Sequence, residues 1–297
     1  MAEPLLPATR SFDYSTASKP FTAVRLGVDH PVTVLVPAPD AIVERPFIGR
    51  ESLMRNCRAA WFAAGDAPPL HFRLIGPPGV GKNELVYALA REEGRPLYIL
   101  QGHDELTPED IACTARIVGD GRVEYVGSPL LAAMLAGGIC FVDEIGKIPP
   151  RALSLLSSVL DNRRSLTSVL AGFTVSAHPS FRFCAAMNDA DASSSGLPGY
   201  IDERLRPLFR VGYPTATDLI AIVEARAAHA GEHLLDDFKR WMALQATPLS
   251  PRQALQIVSF AARLLEQSGP AHAGDVIERS AHLVRGSSPG GTDDAAR

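Results

Sequence analysis

The stretch that decides the fold is Gly76-Pro77-Pro78-Gly79-Val80-Gly81-Lys82-Asn83. It follows a short apolar run at residues 71–75 and precedes residues 84–91, whose apolar spacing is typical of a helix. This is the G-x-x-x-x-G-K pattern in the strand-to-helix setting of a phosphate-binding loop. Its glycines allow successive backbone N–H groups to turn inward around an anion, and the helix adds its positive N-terminal end. The stretch therefore predicts a nucleoside triphosphate site, the alternative being a glycine-rich turn without a ligand.

Two side chains of this loop determine the expected chemistry. We expect Lys82 to reach the β and γ phosphates as a point charge. Asn83 stands where a Ser or Thr hydroxyl normally coordinates Mg²⁺. Its amide oxygen is also a hard donor and could hold the ion, but from one bond further along the side chain. Nucleotide binding tolerates this change more easily than fast hydrolysis does.

An acidic pair follows the next strongly apolar run. Residues 138–142 have the continuous apolar character of a parallel strand buried on both faces, and Asp143 and Glu144 come directly after it. We expect Asp143 to help hold Mg²⁺ and Glu144 to orient and activate the attacking water. A solvated acidic turn is the alternative. Asn188 ends a later strand-like run, where it could bind that water or serve only as a turn former.

Strand and helix patterns alternate up to residue 214, which predicts an α/β fold with a doubly wound parallel sheet. Residues beyond 215 have helical periodicity throughout. The predicted organisation is an arm with a possible β element at 1–44, a nucleotide-binding core at 45–214, a small all-helical lid at 215–285 and a disordered tail at 286–297. Within the core, turn residues predict hairpins at 116–126 and 165–176, and helices are expected at 107–115 and 149–161.

Composition narrows the functional classes. A net charge of −4 and a pI near 6.1 give no global attraction to nucleic acid or to an anionic membrane. The four cysteines lie far apart without a C-x-x-C pair, so neither a zinc site nor a disulfide framework is expected. No stretch has the length of a membrane span, and the first residues lack the features of a signal peptide. We therefore expect a cytoplasmic protein with no membrane partner.

Taken together, these residues resemble the AAA+ ATPases, and within them the MoxR-like group, which has a helix-2 insert and a pre-sensor-1 hairpin. The resemblance covers about residues 44–285. The two predicted hairpins resemble the helix-2 insert and the pre-sensor-1 hairpin. The motifs that carry the resemblance are GPPGVGK at 76–82, GHDELTPED at 102–110, FVDEI at 141–145, AHPSFR at 177–182 and AMN at 186–188.

The resemblance implies roles for further residues. Asn188 resembles sensor 1, and Arg204 falls at the position of the arginine finger, with Arg206 as its nearest competitor. Arg252, in the stretch Ser-Pro-Arg at 250–252, resembles sensor 2 and would lie over the phosphates. Arg206 could instead be a surface charge, and Arg252 only a cap of its helix.

Two further implications concern the adenine and the assembly. Ile48 and Gly49 resemble the segment that packs near adenine. A finger of this kind acts on nucleotide bound by the next subunit, so Arg204 implies a homo-oligomeric ring, and relatives of this type usually form hexamers.

The function that the resemblance implies is that of an ATP- and Mg²⁺-dependent remodelling motor or chaperone. Its client would be a protein such as a metalloenzyme complex, with a von Willebrand factor A domain protein as a possible partner. One alternative is an AAA+ motor or loader that acts on nucleic acid, although the two hairpins contribute few basic residues. A second alternative, raised by Asn83, is a nucleotide-dependent scaffold that hydrolyses ATP weakly.

Overall fold

The computed structural model describes residues 20–27, 30–62, 68–119, 121–194, 196–268 and 275–286. The predicted flexible start of the arm and nearly all of the predicted tail lie outside these residues. The strands are β1 (Phe21–Leu26), β2 (Val32–Pro37), β3 (Phe72–Ile75), β4 (Leu97–Gln101), β5 (Cys113–Ile117), β6 (Val123–Gly127), β7 (Ile139–Asp143), β8 (Ser165–Ser168), β9 (Phe173–Ser176), β10 (Arg182–Met187) and β11 (Leu208–Arg210). The α-helices are α1 (Glu51–Trp61), α2 (Lys82–Glu92), α3 (Pro108–Ala112), α4 (Pro129–Ala136), α5 (Pro150–Leu153), α6 (Leu156–Val159), α7 (Asp189–Ser194), α8 (Gly199–Asp202), α9 (Ala216–Arg226), α10 (Glu232–Ala243), α11 (Pro251–Ser268) and α12 (Val276–Arg285).

The central sheet has five parallel strands in the order β11-β3-β10-β7-β4. Alternate residues of one strand pack on opposite faces, as the period of two requires. In β7, Ile139 and Phe141 face a core formed with α1 and α2, whereas Cys140 and Val142 face a core formed with α3 to α6. The sheet is covered on both sides, which confirms the predicted α/β class with a doubly wound parallel sheet.

A second sheet joins two distant parts of the chain. Its order is β1-β2-β6-β5, with antiparallel pairs at both ends. The junction is a short parallel ladder in which Val34 and Leu35 of β2 pair with Tyr125 and Val126 of β6. The N-terminal β element, whose role the sequence left open, therefore extends the sheet of the first predicted hairpin. The second predicted hairpin forms from β8 and β9, which pair only with each other.

Two predicted helices differ from the observed elements. The helix expected at 107–115 begins as predicted, because Thr107 and Asp110 form a capping box, but it ends at Ala112. Cys113 instead begins β5 and pairs with Gly127, so tertiary pairing prevails over the local helical pattern. The expected helix at 149–161 is divided into α5 and α6. Ser154 lies between them, and its hydroxyl donates to the Arg151 carbonyl at 2.7 Å, a local bond that competes with a regular helix.

Helices α9 to α12 pack around a core of their own. Its buried residues include Leu219, Val223, Phe238, Ile257 and Ile277. We propose that the chain divides near residue 214 into the nucleotide-binding core and the helical lid, since this cluster is separate from those of the central sheet. Among the described residues, no helix is both long enough and apolar enough to cross a bilayer.

Candidate nucleotide-binding site

The loop between β3 and α2 lies at the carboxyl edge of the central sheet, where an open α/β sheet binds its ligand. Helix α2 begins directly at Lys82, so its free N–H groups face the loop. Gly79 has a φ of 77° and lies against the lid: a Cβ there would be 3.0 Å from the Cβ of Arg252. A glycine is therefore needed for this backbone path and for the close approach of the lid.

Lys82 is held by three acceptors. Its Nζ donates to the carbonyls of Gly76 at 2.7 Å and Pro77 at 3.0 Å, and to Oδ1 of Asn188 at 2.8 Å. The three ammonium protons are thereby used. Burial lowers the pKa of Lys82, and the charges of Asp143 and Asp189 oppose that shift. The sequence placed Lys82 and Asn188 at one site because each follows a strand-like run and because Asn188 resembles sensor 1, and their side chains are in direct contact.

Asn83 is hydrogen bonded to Asp143, the first residue of the acidic pair. Its Nδ2 donates to Oδ2 of Asp143 at 2.6 Å, while Oδ1 of the same carboxylate accepts from the backbone N–H of Glu144 at 2.9 Å. Tyr87, one turn further along α2, is hydrogen bonded to the Asn83 side chain. The side chain that replaces the usual hydroxyl is therefore held against the carboxylate that the sequence predicts to bind Mg²⁺.

Glu144 adopts a left-handed backbone conformation with a φ of 55°. Its Oε2 accepts from Nε2 of Gln101 at 3.0 Å and from Nζ of Lys147 at 2.8 Å. The hydrogen bond and the charge of Glu144 raise the pKa of Lys147. The Glu144 carboxylate, which the sequence predicts to activate water, is thus hydrogen bonded to Gln101 and Lys147. The sequence did not reveal the role of either partner. Gln101 is the last residue of β4, and this position at the end of a strand was the only sequence feature that could have indicated a role in the site.

A cavity of about 400 Å³ brings the predicted residues together. Those of its lining residues that the sequence singled out are Pro78, Gly79, Gly81, Lys82, Asn83, Asp143, Glu144, Asn188 and Arg252. Arg252 reaches the cavity because Ser250 and Gln253 form a reciprocal cap at the start of α11, with hydrogen bonds of 3.1 to 3.2 Å. The Arg252 N–H lies 3.4 Å from the Gly79 carbonyl.

The lining residues that sequence analysis missed include Glu84, Tyr87 and Arg226. Arg226 of the lid donates to Oε2 of Glu84 on α2 at 2.9 Å, and its side chain is only 15% exposed. The two residues are 142 positions apart, so no local pattern could have paired them. This ion pair crosses the cavity between the core and the lid.

The two finger candidates lie elsewhere. Neither Arg204 nor Arg206 lines the cavity. Nη1 of Arg204 donates to the Tyr200 carbonyl at 2.6 Å, and its buried Nε has no hydrogen-bond partner. Arg206 forms an ion pair with Asp202, which also binds the buried Arg73. Arg206 is therefore paired with a carboxylate of its own subunit, whereas Arg204 donates to a neutral carbonyl, and its charge helps to lower the pKa of Asp161.

The segment predicted to lie near adenine joins the loop to the lid. Ile48 and Gly49 do not line the cavity described above. Gly49 contacts α9 so closely that a Cβ would be 2.7 Å from Cγ of Asp218. The next residue, Arg50, donates to the carbonyls of Val80 at 2.8 Å and Gly212 at 2.7 Å. The adenine role of Ile48 and Gly49 stays a prediction.

The donor set fits Mg²⁺. Asp143 supplies a carboxylate and Asn83 an amide group, adjacent to a loop built for phosphate. Within the described part of the chain, no group of three or more His, Cys, Asp or Glu side chains could hold a metal without other ligands. This is the arrangement expected for Mg²⁺, which binds through one or two carboxylates and takes its remaining ligands from phosphate and water.

Comparisons with known proteins identify the family of this chain. The family model described as AAA domain (dynein-related subfamily) matches residues 71–209. Protein NorQ of Paracoccus denitrificans is 32% identical over 170 residues, which is 57% of this chain and 58% of NorQ. Denitrification regulatory protein NirQ of Pseudomonas aeruginosa is 30% identical over 196 residues, 65% of this chain and 75% of NirQ. Some curated relatives are matched over only about half of their length, 45% in one case.

The fold has a counterpart among solved structures. The Thermotoga maritima RuvB Holliday junction branch migration motor superposes with a TM-score of 0.53 and 16% identity, covering 80% of this chain and 70% of RuvB. The fold and the loop define a P-loop NTPase. Within that class, the chain belongs to the AAA+ ATPases, in the MoxR-like group with NorQ and NirQ.

Proposed function

We propose that this chain is an ATP-driven remodelling motor or chaperone of MoxR type that acts on a protein client, such as a metalloenzyme complex. The observation that carries the proposal is the convergence of Lys82, Asp143, Glu144 and Asn188 on one cavity that Arg252 of the lid also lines. These groups are what transfer of a γ-phosphoryl group to water requires: cations around the phosphates, a carboxylate for the metal and a carboxylate for the water.

The mechanism follows from the contacts that nucleotide would replace. Phosphate oxygens would take over Lys82 from the Gly76 and Pro77 carbonyls, because an anion is the stronger acceptor. Asn188 would then be free to orient the attacking water. Glu144 would leave Gln101 and Lys147 and accept a proton from that water. Bound Mg²⁺, held by Asp143 and Asn83, would supply charge neutralisation at the phosphates.

The assembly is part of the proposal. Arg204 does not line the cavity of its own subunit, and its Nη1 donates to the neutral Tyr200 carbonyl, which suits a finger that completes the site of a neighbour. We propose a hexameric ring in the cytoplasm, in which hydrolysis moves the lid against the core. A protein with a von Willebrand factor A domain is a proposed partner.

The hairpins support a protein client over nucleic acid. Large apolar side chains are exposed near both tips: Ile117 is 79% and Val123 55% exposed in the first, and Val169 is 92% and Leu170 47% exposed in the second. Arg116 of the first hairpin is bound through two nitrogens by Glu124. Apolar tips suit contact with unfolding polypeptide, whereas binding to phosphates needs free cations. Strong, salt-sensitive stimulation of ATPase activity by DNA would favour the nucleic-acid alternative.

The test is steady-state ATP hydrolysis with Mg²⁺ for the wild type and Glu144→Gln, together with mass measurement with and without nucleotide. We expect turnover that is lost in the variant and a ring that forms with ATP in both proteins. Binding and assembly without turnover in the wild type would contradict the motor and favour the scaffold.

The scaffold alternative rests on one contact, the 2.6 Å bond from Asn83 to Asp143. This bond occupies the carboxylate oxygen that a metal would otherwise use. Replacing Asn83→Thr restores the usual hydroxyl donor at this position. A large rise in turnover would support a chain adapted for slow hydrolysis, and unchanged turnover would remove the main argument for the scaffold.

A further inference from the structure

A second cavity lies at the opposite edge of the central sheet from the nucleotide loop. Its volume is about 680 Å³, and we call it the arginine cavity after its lining residues Arg55, Arg58, Arg95 and Arg182, which are joined by Trp61 and Phe62. Arg182 is the first residue of β10, whose other end delivers Asn188 to the nucleotide site. The arginine cavity is thus separate from that site and has no part in the proposed hydrolysis.

Arg182 is buried without full compensation. The residue is only 7% exposed, and its Nη1 donates to the carbonyls of Pro179 at 3.2 Å and Phe181 at 3.1 Å. No described residue provides a hydrogen-bond partner for its buried Nε. Burial, together with the positive charges of Arg95 and Arg164, lowers the pKa of Arg182 to about 10, and the charge of Glu93 only partly opposes this shift. Neutral carbonyls satisfy some of its protons, but they do not neutralise its charge.

Carboxylates near the cavity are too few to balance the arginines. Glu92 pairs with Arg58 at 3.0 Å, and both side chains are nearly half exposed. Glu93 is 3.7 Å from Nε of Arg95, too far for a hydrogen bond. Arg55 has no hydrogen bond or ion pair within the described part of the chain. Among the described residues, four guanidinium groups therefore face two carboxylates, in a protein whose net charge is −4.

We propose that the arginine cavity binds a small ligand that carries a phosphate or pyrophosphate group. Guanidinium groups form paired, planar hydrogen bonds to phosphate, and several of them around one cavity offer such pairs from more than one side. The volume lies within the range of small-molecule sites. Phe62, whose ring is 74% exposed beside the cavity, provides an apolar wall for the rest of the ligand.

The test uses Trp61 as a local reporter. The chain has two tryptophans, so Trp241→Phe leaves Trp61 as the sole source of indole fluorescence. Adding Lys82→Ala removes the lysine of the nucleotide loop, which would otherwise bind the same probe. Inorganic pyrophosphate titrated into this double variant without Mg²⁺ is expected to produce a saturable change in Trp61 emission.

The exposed arginines identify the site without disturbing the core. Arg55→Ala and Arg58→Ala in the same background are each expected to raise the apparent Kd for pyrophosphate by about threefold to tenfold, the effect of losing one charged hydrogen bond. Arg279→Ala removes the same charge from an exposed position on lid helix α12 and is expected to leave the Kd unchanged.

Three results would overturn the proposal. The first is the absence of a saturable signal, which would mean that the arginines only hold the loop at residues 178–181. The second is an equal loss of affinity in Arg55→Ala and Arg279→Ala, which would mean that the effect is one of overall charge. The third is binding of a hexaglutamate peptide with no response to pyrophosphate, which would assign the surface to an acidic protein segment. None of these results depends on whether the chain hydrolyses ATP, because Lys82→Ala disables the nucleotide loop and Trp61 emission reports on the arginine cavity.

Discussion

At the scale of single residues, His71 shows how burial controls a charge. It precedes β3, is 6% exposed, and packs edge-on against Phe183 with ring centroids 5.9 Å apart. Burial, with a smaller contribution from the charges of Arg164 and Arg182, lowers the pKa of His71 to about 4. His71 is therefore neutral at physiological pH, and it adds no charge to the arginines beside it.

The pKa of His71 predicts an acid-dependent loss of stability. Between about pH 6.5 and pH 4 the unfolded chain binds a proton at His71 that the folded chain does not, so stability falls as the pH is lowered through this range. The wild type is expected to lose on the order of 3 kcal/mol more than His71→Gln over this interval. Urea unfolding at several pH values measures the difference. The exposed His229→Gln serves as the control, and a parallel loss in wild type and His71→Gln would contradict the prediction.

The site residues that could be predicted from the sequence are those that belong to contiguous motifs. Lys82, Asp143 and Glu144 belong to local motifs whose geometry follows from a strand ending at one sheet edge. Gln101 and Arg226 have no such motif, and they became visible only through their contacts with Glu144 and Glu84. A hydrogen bond between distant side chains leaves no trace in the local sequence.

At the scale of elements, the contact between α9 and α2 couples the lid to the core. Arg226→Ala is expected to weaken ADP binding by about fivefold to tenfold, because it removes a largely buried charge from the cavity and leaves Glu84 unpaired. In a double-mutant cycle with Glu84→Gln, we expect a coupling of about 1 kcal/mol in the binding free energy. Calorimetric titration with ADP measures both quantities.

A matched control is available on the lid surface. Lys239 and Glu224 form a comparable ion pair at 2.8 Å, but both are more than one-third exposed and neither lines the cavity. Lys239→Ala is expected to leave the affinity for ADP unchanged. If the effects of Arg226→Ala and Glu84→Gln simply add, the two residues act independently, and the pair is not what couples lid and core.

Local patterns predicted most elements but not all of their ends. Thr107 and Pro108 mark the start of α3 because capping is a local interaction. The end of α3 depends on the pairing of β5 with β6. This pairing involves residues outside the helical stretch, so the local periodicity could not predict it. The N-terminal hairpin was recognised as a β element, but its parallel pairing with β6 links residues far apart in sequence, and nothing in either stretch encodes that partner.

At the scale of the whole molecule, the placement of Arg204 predicts complementation between subunits. Glu144→Gln and Arg204→Ala are each expected to abolish most ATP hydrolysis when assayed alone. Mixed in equal amounts, they would form some interfaces with an intact Glu144 on one side and an intact Arg204 on the other. Random assembly gives about one-quarter of such interfaces, so the mixture should regain up to about a quarter of wild-type turnover.

The competing arginine provides the control for this experiment. Arg206 pairs with Asp202 of its own subunit, so Arg206→Ala is expected to retain more activity alone than Arg204→Ala does. Mixtures of full assembled mass that show no recovered turnover would contradict a finger supplied by the neighbour. Recovery with Arg206→Ala in place of Arg204→Ala would assign the finger to Arg206.

The sheet that joins β2 to β6 also determines how force is carried through the molecule. A ladder of backbone hydrogen bonds resists shear along the strands far better than side-chain packing does, so we expect the β1–β2 and β5–β6 hairpins to move together. Any displacement of α4, which follows β6 after a single residue, is transmitted to β1 at the far side of this sheet. In the proposed motor, the whole four-stranded sheet would therefore transmit the movement to a client, and not an isolated hairpin.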